Sequence, residues 1–224
     1  MKTLANWAAG ILVAASLIGL SSAAQASDEI KLLKHASGTV EDLKHDSMFG
    51  DARNALRNCR AVLIVPSLVK GGFIFGGEGG EGVMLARNGK KFSSPAFYSL
   101  ASGSFGLQIG LEEAQLVMFI MSDKALRAVE RSKFKLGAGA GLTVITIGAA
   151  GEAATSGNLQ GDIIIWAKAK GAYGGLTLNG SVIAPQSDTN RDFYGRKVSV
   201  QDILANAVTN SEADALRAKL KSAL

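Results

Sequence analysis

The chain has a single cysteine, Cys59, among 224 residues, and one thiol cannot close an intramolecular disulfide. Stability must therefore come from a packed core and not from covalent staples. Cys59 leads straight into an apolar run and is read as a small buried hydrophobe. Histidine is almost as scarce. His35 and His45, with Asp42 and Asp46 nearby, match no standard ligand spacing, and neither stands in a triad context. No metal site and no cofactor are expected. Aromatic residues make up 6% of the chain, and 24 basic side chains face 19 acidic ones. That mild excess is not the basic signature of a nucleic-acid-binding chain. Proline occurs three times, so most chain breaks fall to glycine.

The apolar stretch at the amino terminus has a different meaning. Lys2, the run from Trp7 to Leu20 and the small residues ending in Ala24-Gln25-Ala26 are arranged as a secretory signal peptide over residues 1–26, with cleavage before Ser27. Gly10, Ser16 and Gly19 interrupt the run and argue against a retained membrane anchor. Ser27 stands where a lipid-modified terminus would need cysteine. Removing residues 1–26 takes away only Lys2 and leaves 23 basic against 19 acidic groups, a net charge of +4. Residues 27–224 are enough for one domain with a sizeable core. The expected location is periplasmic or otherwise exported.

What the chain has in quantity is glycine, 27 residues, within a composition that is 47% apolar. Seven of the twelve residues from Gly71 to Gly82 are glycine. The run Ala61-Val62-Leu63-Ile64-Val65 reads as a strand that meets Pro66, turns, and re-emerges as Lys70-Gly71-Gly72-Phe73-Ile74-Phe75. Glycine inside such runs marks bulges, bends or close backbone approach, so Gly71, Gly72 and Gly171 are expected to be structural. Further strands are expected within Phe92 to Ile109, in the continuous apolar run Leu116 to Met121, and over Asp162 to Ala169. Lys133 to Gly151 has the habit of a long bent strand. Helices are expected as one or two short pieces over 28–45 interrupted near Gly38, then over 51–59, from Ser122-Asp123 through Arg131, after Ser199, and at the carboxyl terminus around Leu216 and Leu220. Asp188 to Gly195 reads as a polar turn. The fold class is α+β: a bent, largely antiparallel glycine-rich sheet, open or barrel-like, flanked by helices from both ends.

Two motifs suggest chemistry and fail on context. Gly77-Glu78-Gly79-Gly80-Glu81-Gly82 matches the dinucleotide pattern, but Val83-Met84-Leu85 reads as strand where a helix should begin, and two glutamates would repel phosphate. No nucleotide is expected. Ser102-Gly103-Ser104-Phe105-Gly106 lacks the glycine spacing of a nucleophile elbow. No catalytic constellation is found, and an enzyme is not expected.

The stretch Cys59 to Phe73, continued by Gly79-Gly80-Glu81-Gly82-Val83, resembles the opening of the SYLF lipid-binding domain family. The likeness recurs at Ser94-Pro95-Ala96, Gly106 to Gly110, Leu136 to Gly139, Lys170 to Leu176, Thr189 to Gly195 and Asp202-Ile203-Leu204, covering Ala52 to Leu204. The resemblance implies non-enzymatic binding of anionic phospholipids, notably phosphoinositides, with some eukaryotic members also binding actin. An exported chain would meet neither actin nor, ordinarily, phosphoinositides, so the implied partner narrows to an anionic phospholipid or membrane surface of the envelope. By the same resemblance Lys70, Lys170 and Arg191 are the expected lipid contacts. Arg57, Arg60, Lys90 and Lys91 are candidates from charge alone. The alternative is an envelope protein-interaction or structural module whose basic face meets a protein.

Overall fold

A computed structural model describes residues 28–72, 75–105, 112–131, 133–136, 144–147, 161–170, 178 and 180–224. Helix α1 spans 28–44 without a break. Leu33, Ala36, Val40 and Leu43 bury one face of it, and that burial offsets the roughly 1 kcal/mol cost of Gly38 in mid-helix. The expected interruption is therefore absent. Helix α2 (Phe49–Asn58) buries Ala52, Ala55 and Leu56 and ends where the Cys59 amide donates to the Ala55 carbonyl.

Strands β1 (Ala61–Gly72), β2 (Phe75–Asn88), β3 (Lys91–Phe92), β4 (Ala96–Phe105), β5 (Glu112–Ile120), β6 (Phe134–Lys135), β7 (Val144–Ile147), β8 (Ile163–Lys170) and β9 (Val182–Pro185) form one sheet. Its order is β6-β9-β4-β2-β1-β5-β8-β7, with β3 paired to β2. All pairings are antiparallel except β7 with β8, and the sheet is an open half-barrel. Interleaved with these strands and after them come α3 (Asp123–Arg131), α4 (Ser187–Tyr194), α5 (Val200–Leu204) and α6 (Asp214–Ser222). This is the expected α+β class.

Both faces of the sheet are covered, which is why its central strands are apolar runs without alternation. Leu63, Met84, Met118 and Ile165 pack on one face with Val129 of α3 and Ile203 of α5. Ile64, Leu85, Phe119 and Trp166 pack on the other with Leu33 and Val40 of α1, Leu56 of α2 and Leu216 of α6.

Pro66 does not turn the chain. It sits in a central strand, where a residue without an N–H is tolerated only at a bulge, and the register of β1 shifts between Ile64 and Ser67 against β2 and between Val65 and Leu68 against β5. The strand then continues through Gly71 and Gly72, which pair with Gly77 and Gly76. The expected corner at Lys70-Gly71 is thus strand, and Gly171 lies outside the described residues. Close backbone approach is seen at two glycines of β2. An added Cβ at Gly80 would lie 2.5 Å from the Ser67 carbonyl oxygen, and one at Gly82 would lie 2.7 Å from that of Ile64. These two glycines let β2 pass the bulge.

The polar segment expected to be a turn is helix α4, closed by Gly195 in the left-handed region at φ 66°. The buried Asn190 explains why it holds. Its Oδ1 accepts the Phe97 amide at 2.8 Å and its Nδ2 donates to the Phe97 carbonyl at 3.3 Å, so one side chain acts as a strand partner for β4.

Candidate functional site

The strands share two ends, and the basic side chains divide between them. At the glycine-rich end, Lys70 of β1 stands in register with Glu78 of β2 and Glu112 of β5. Lys170 closes β8 opposite Glu113. Arg191 lies on α4, with Asp188 at 2.8 Å and Asp192 at 3.0 Å. Lys70 and Lys170 thus share the glycine-rich end of the sheet, on the two strands that flank β5, and Arg191 belongs to α4.

The opposite end of the sheet gathers the residues chosen from charge alone. The Arg60 amide donates to the Ile120 carbonyl and the Arg87 amide to that of Arg60, which aligns the start of β1 with the ends of β5 and β2. The tight turn after Asn88 carries Gly89 at φ 65°, a conformation glycine adopts freely. That turn exposes Lys90 and Lys91, which make no ion pair among the described residues. Arg57 at the end of α2 and Arg53 both donate to the Leu224 carbonyl, at 2.5 and 2.9 Å. Arg60 pairs with Asp123 at 3.0 Å, both more than half exposed. Arg87 keeps a buried Nε without a partner. Lys90 and Lys91 are therefore the exposed cationic groups here without an ion pair among the described residues, and Arg87 lies half-buried beside them. Arg87 was missed at the sequence level, and its signal was its place beside the Asn88-Gly89 turn.

Cys59 is 1% exposed, and burial pushes its thiol up to about 12 despite Arg87 nearby, so it does not supply a thiolate. His45 Nδ1 donates to the Glu41 carbonyl, 2.8 Å away, and no group of three or more metal-ligating side chains occurs among the described residues.

The motifs that carried the family resemblance meet one another. Tyr194 donates to the Pro95 carbonyl at 2.7 Å, Phe193 packs edge-on against Phe97 with centroids 4.9 Å apart, and Ser94 donates to the Val208 carbonyl at 2.8 Å. Asp202 forms a reciprocal capping box with Ser199 while Ile203 and Leu204 enter the core. Their shared role is to lock α4 and α5 onto β4.

A family model described as Las17-binding protein actin regulator, Ysc84, matches residues 101–223, more than half of the chain. The chain belongs to the Ysc84 family. This is the SYLF family that the motifs resemble. Among Ysc84 relatives, SH3 domain-containing YSC84-like protein 1 of Xenopus laevis is 34% identical over 60% of this chain and 41% of its own length. The Bos taurus protein of that name is 31% identical over 66% of this chain and 44% of its own. Protein YSC84 of Saccharomyces cerevisiae is 29% identical over 68% and 33% respectively. The chain thus spans between 33% and 44% of the length of these relatives. The Ysc84 description is of a binding protein and regulator, not of an enzyme. Among the described residues no helix is long and apolar enough to cross a membrane.

Proposed function

We propose that this Ysc84-family chain is a non-enzymatic module that binds anionic phospholipid at a membrane surface, in an exported, periplasmic setting after cleavage before Ser27. The observation that carries the reading is the convergence of Lys90, Lys91 and Arg87 at one end of the sheet, with Arg57 and Arg60 alongside. A basic side chain near an anionic membrane contributes about 1 kcal/mol, decaying within a Debye length of about 8 Å. Lys90, Lys91 and Arg87 together would supply about 3 kcal/mol, which suits a reversible, salt-sensitive attachment. Arg57 and Arg60 add less, because Leu224 and Asp123 already engage them. Lys70 and Lys170, at the opposite end, form the competing surface implied by the family likeness.

Vesicle co-sedimentation distinguishes the two ends. The doubly substituted Lys90→Glu/Lys91→Glu chain should lose most of its retention on phosphatidylglycerol vesicles in low salt, whereas Lys70→Glu/Lys170→Glu should lose less. The reverse order would move the membrane surface to the glycine-rich end, equal retention on zwitterionic vesicles would overturn the preference for anionic lipid, and no retention on either would overturn lipid binding. A second reading rests on the family description, which names Las17 and actin: the same basic end would then meet an actin-regulatory protein. Co-pelleting with filamentous actin in the absence of lipid would favour it.

A further inference from the structure

Gly38 weakens α1, and packing does not call for it, since an added Cβ there would meet nothing within 4 Å. What it leaves is space. Its bare backbone borders a cleft of about 570 Å³ between the middle of α1 and the sheet at the β1 bulge, within the roughly 300–1,000 Å³ of small-molecule sites. From α1 come Lys34, His35 and Asp42, and from the sheet Pro66 and Ser67 of the bulge with Glu113 and Gln115 of β5. Thr39 also borders it, with its hydroxyl committed to the His35 carbonyl. Gln115 is 8% exposed and reaches from β5 to α1, where its Nε2 donates to Asp42 Oδ2 at 2.9 Å. Its Oε1 is buried and has no partner. Glu29, at the start of α1, also has a buried oxygen without a partner, and burial and then the acids Asp192, Asp28 and Glu81 raise its pKa, but it does not line this cleft. A buried acceptor left unpaired is costly, and a ligand that donates to Gln115 Oε1 removes that cost.

The other groups around the cleft decide what that ligand is. Lys34 Nζ, the His35 ring and Ser67 Oγ make no hydrogen bond or ion pair among the described residues, and Asp42 Oδ1 has Lys168 only at 3.9 Å. Donors and acceptors therefore alternate on one surface. A phosphate would meet Asp42 and Glu113, and a bare cation would meet Lys34 where no group of three or more metal-ligating side chains occurs among the described residues. An extended peptide would need a free strand edge, but β1 lies between β2 and β5, and β5 between β1 and β8. A neutral ligand rich in hydroxyls fits, because each hydroxyl brings one donor and two acceptor lone pairs. We propose that this cleft binds a carbohydrate, with one ring hydroxyl donating to Gln115 Oε1 and its neighbours paired with Asp42, Ser67 and Lys34. The C–H face of the ring would lie on Pro66 and the bare turn at Gly38. Lys90, Lys91 and Arg87 do not line the cleft, so carbohydrate binding stands or falls separately from membrane attachment.

Leucine at position 38 would fill the cleft while favouring the helix more than glycine does, which makes Gly38→Leu a steric test that keeps the fold. The full chain, isotopically labelled, is titrated with cellotriose and separately with maltotriose, and followed by chemical shifts without membranes. At least one trisaccharide should produce saturable shifts at amides 34–42, Ser67 and 113–115, and at the side-chain amide of Gln115. Gly38→Leu should abolish them, the spectrum itself reporting that the fold persists. Gln115→Met, close in size, should weaken binding at least fivefold, whereas Asp214→Asn on α6 should leave it unchanged. The proposal is overturned if neither trisaccharide gives saturable shifts, or if binding survives both Gly38→Leu and Gln115→Met. Equal shifts with glycerol 3-phosphate would reassign the cleft to anions, and equal shifts with capped tetra-alanine would reassign it to a polypeptide; either result also overturns carbohydrate binding.

Discussion

Gly82 is the position where a single methyl group should cost most. It lies in β2 opposite the Pro66 bulge, and an added Cβ would stand 2.7 Å from the Ile64 carbonyl oxygen and 2.9 Å from Val65 Cγ2. The second distance is about 0.6 Å inside the roughly 3.5 Å at which two carbons pack without repulsion. Neither neighbour can yield cheaply, since Ile64 and Val65 are 0% and 1% exposed in the central strand of the sheet. Forcing an extra methyl into such packing costs about 1–3 kcal/mol, against which replacing glycine recovers about 0.4–1 kcal/mol through the unfolded state. Gly79 has the same strand and the same chemistry, but open space where the Cβ would go. Gly82→Ala should therefore be destabilised and Gly79→Ala neutral or slightly stabilised, a difference of about 1–3 kcal/mol, since the unfolded-state gain is common to both. For a chain of this size that is roughly 2–12 °C between the two melting temperatures. Thermal unfolding followed by circular dichroism measures it, and melting temperatures within about 1 °C of each other would refute the account of the bulge.

Other consequences are as direct. Glu29→Gln should raise stability at pH 7: the folded pKa lies above the unfolded one, so ionising Glu29 costs stability as pH rises through that interval, and the advantage of glutamine should vanish below about pH 4. Chemical denaturation across pH 4–8 would show the two curves converging at the acid end. Asn190→Ala should cost about 1–3 kcal/mol, because it orphans the buried Phe97 amide, while the Phe97 carbonyl keeps the Gln186 amide at 2.9 Å. Hydrogen exchange at the Phe97 amide should accelerate with it, and unchanged protection would show that the contact is incidental. Cys59, with its thiol pushed up to about 12, should resist iodoacetamide at pH 8 in the folded chain and react only on unfolding; rapid labelling under native conditions would contradict its burial.

The candidate site was less legible than the fold, and for a physical reason. A charged side chain means little until its neighbours are known. Arg191 looked like a lipid contact in the motif Thr189 to Gly195, yet within α4 it is flanked by Asp188 and Asp192 at i−3 and i+1. Those acids were visible in the sequence, but only the helix brings Asp188 onto the same face. Lys90 and Lys91 had no motif to recommend them, and their exposure beside Arg87 and Arg60 depends on pairings between β1, β2 and β5. Gly71 and Gly72 drew notice through their density, and the sequence did not single out Gly80 and Gly82, where close approach is seen. A proline in a central strand was the available signal for that bulge.

Local sequence determined the elements whose hydrophobic pattern and breaks agree. The apolar runs of β1, β5 and β8, the Ser199 cap of α5 and the buried stripe of α6 all follow from side chains within a few residues of one another. Only the tertiary structure decided what depends on distant partners. It made α1 continuous through Gly38, because burial of Leu33, Val40 and Leu43 against the sheet outweighs one glycine. It turned the polar segment 187–194 into a helix through Asn190 and Phe193, whose partners lie on β4, far away in the chain. It also set Glu29 beside Glu81 and Asp192, since a carboxylate's nearest charges belong to whichever elements pack against it.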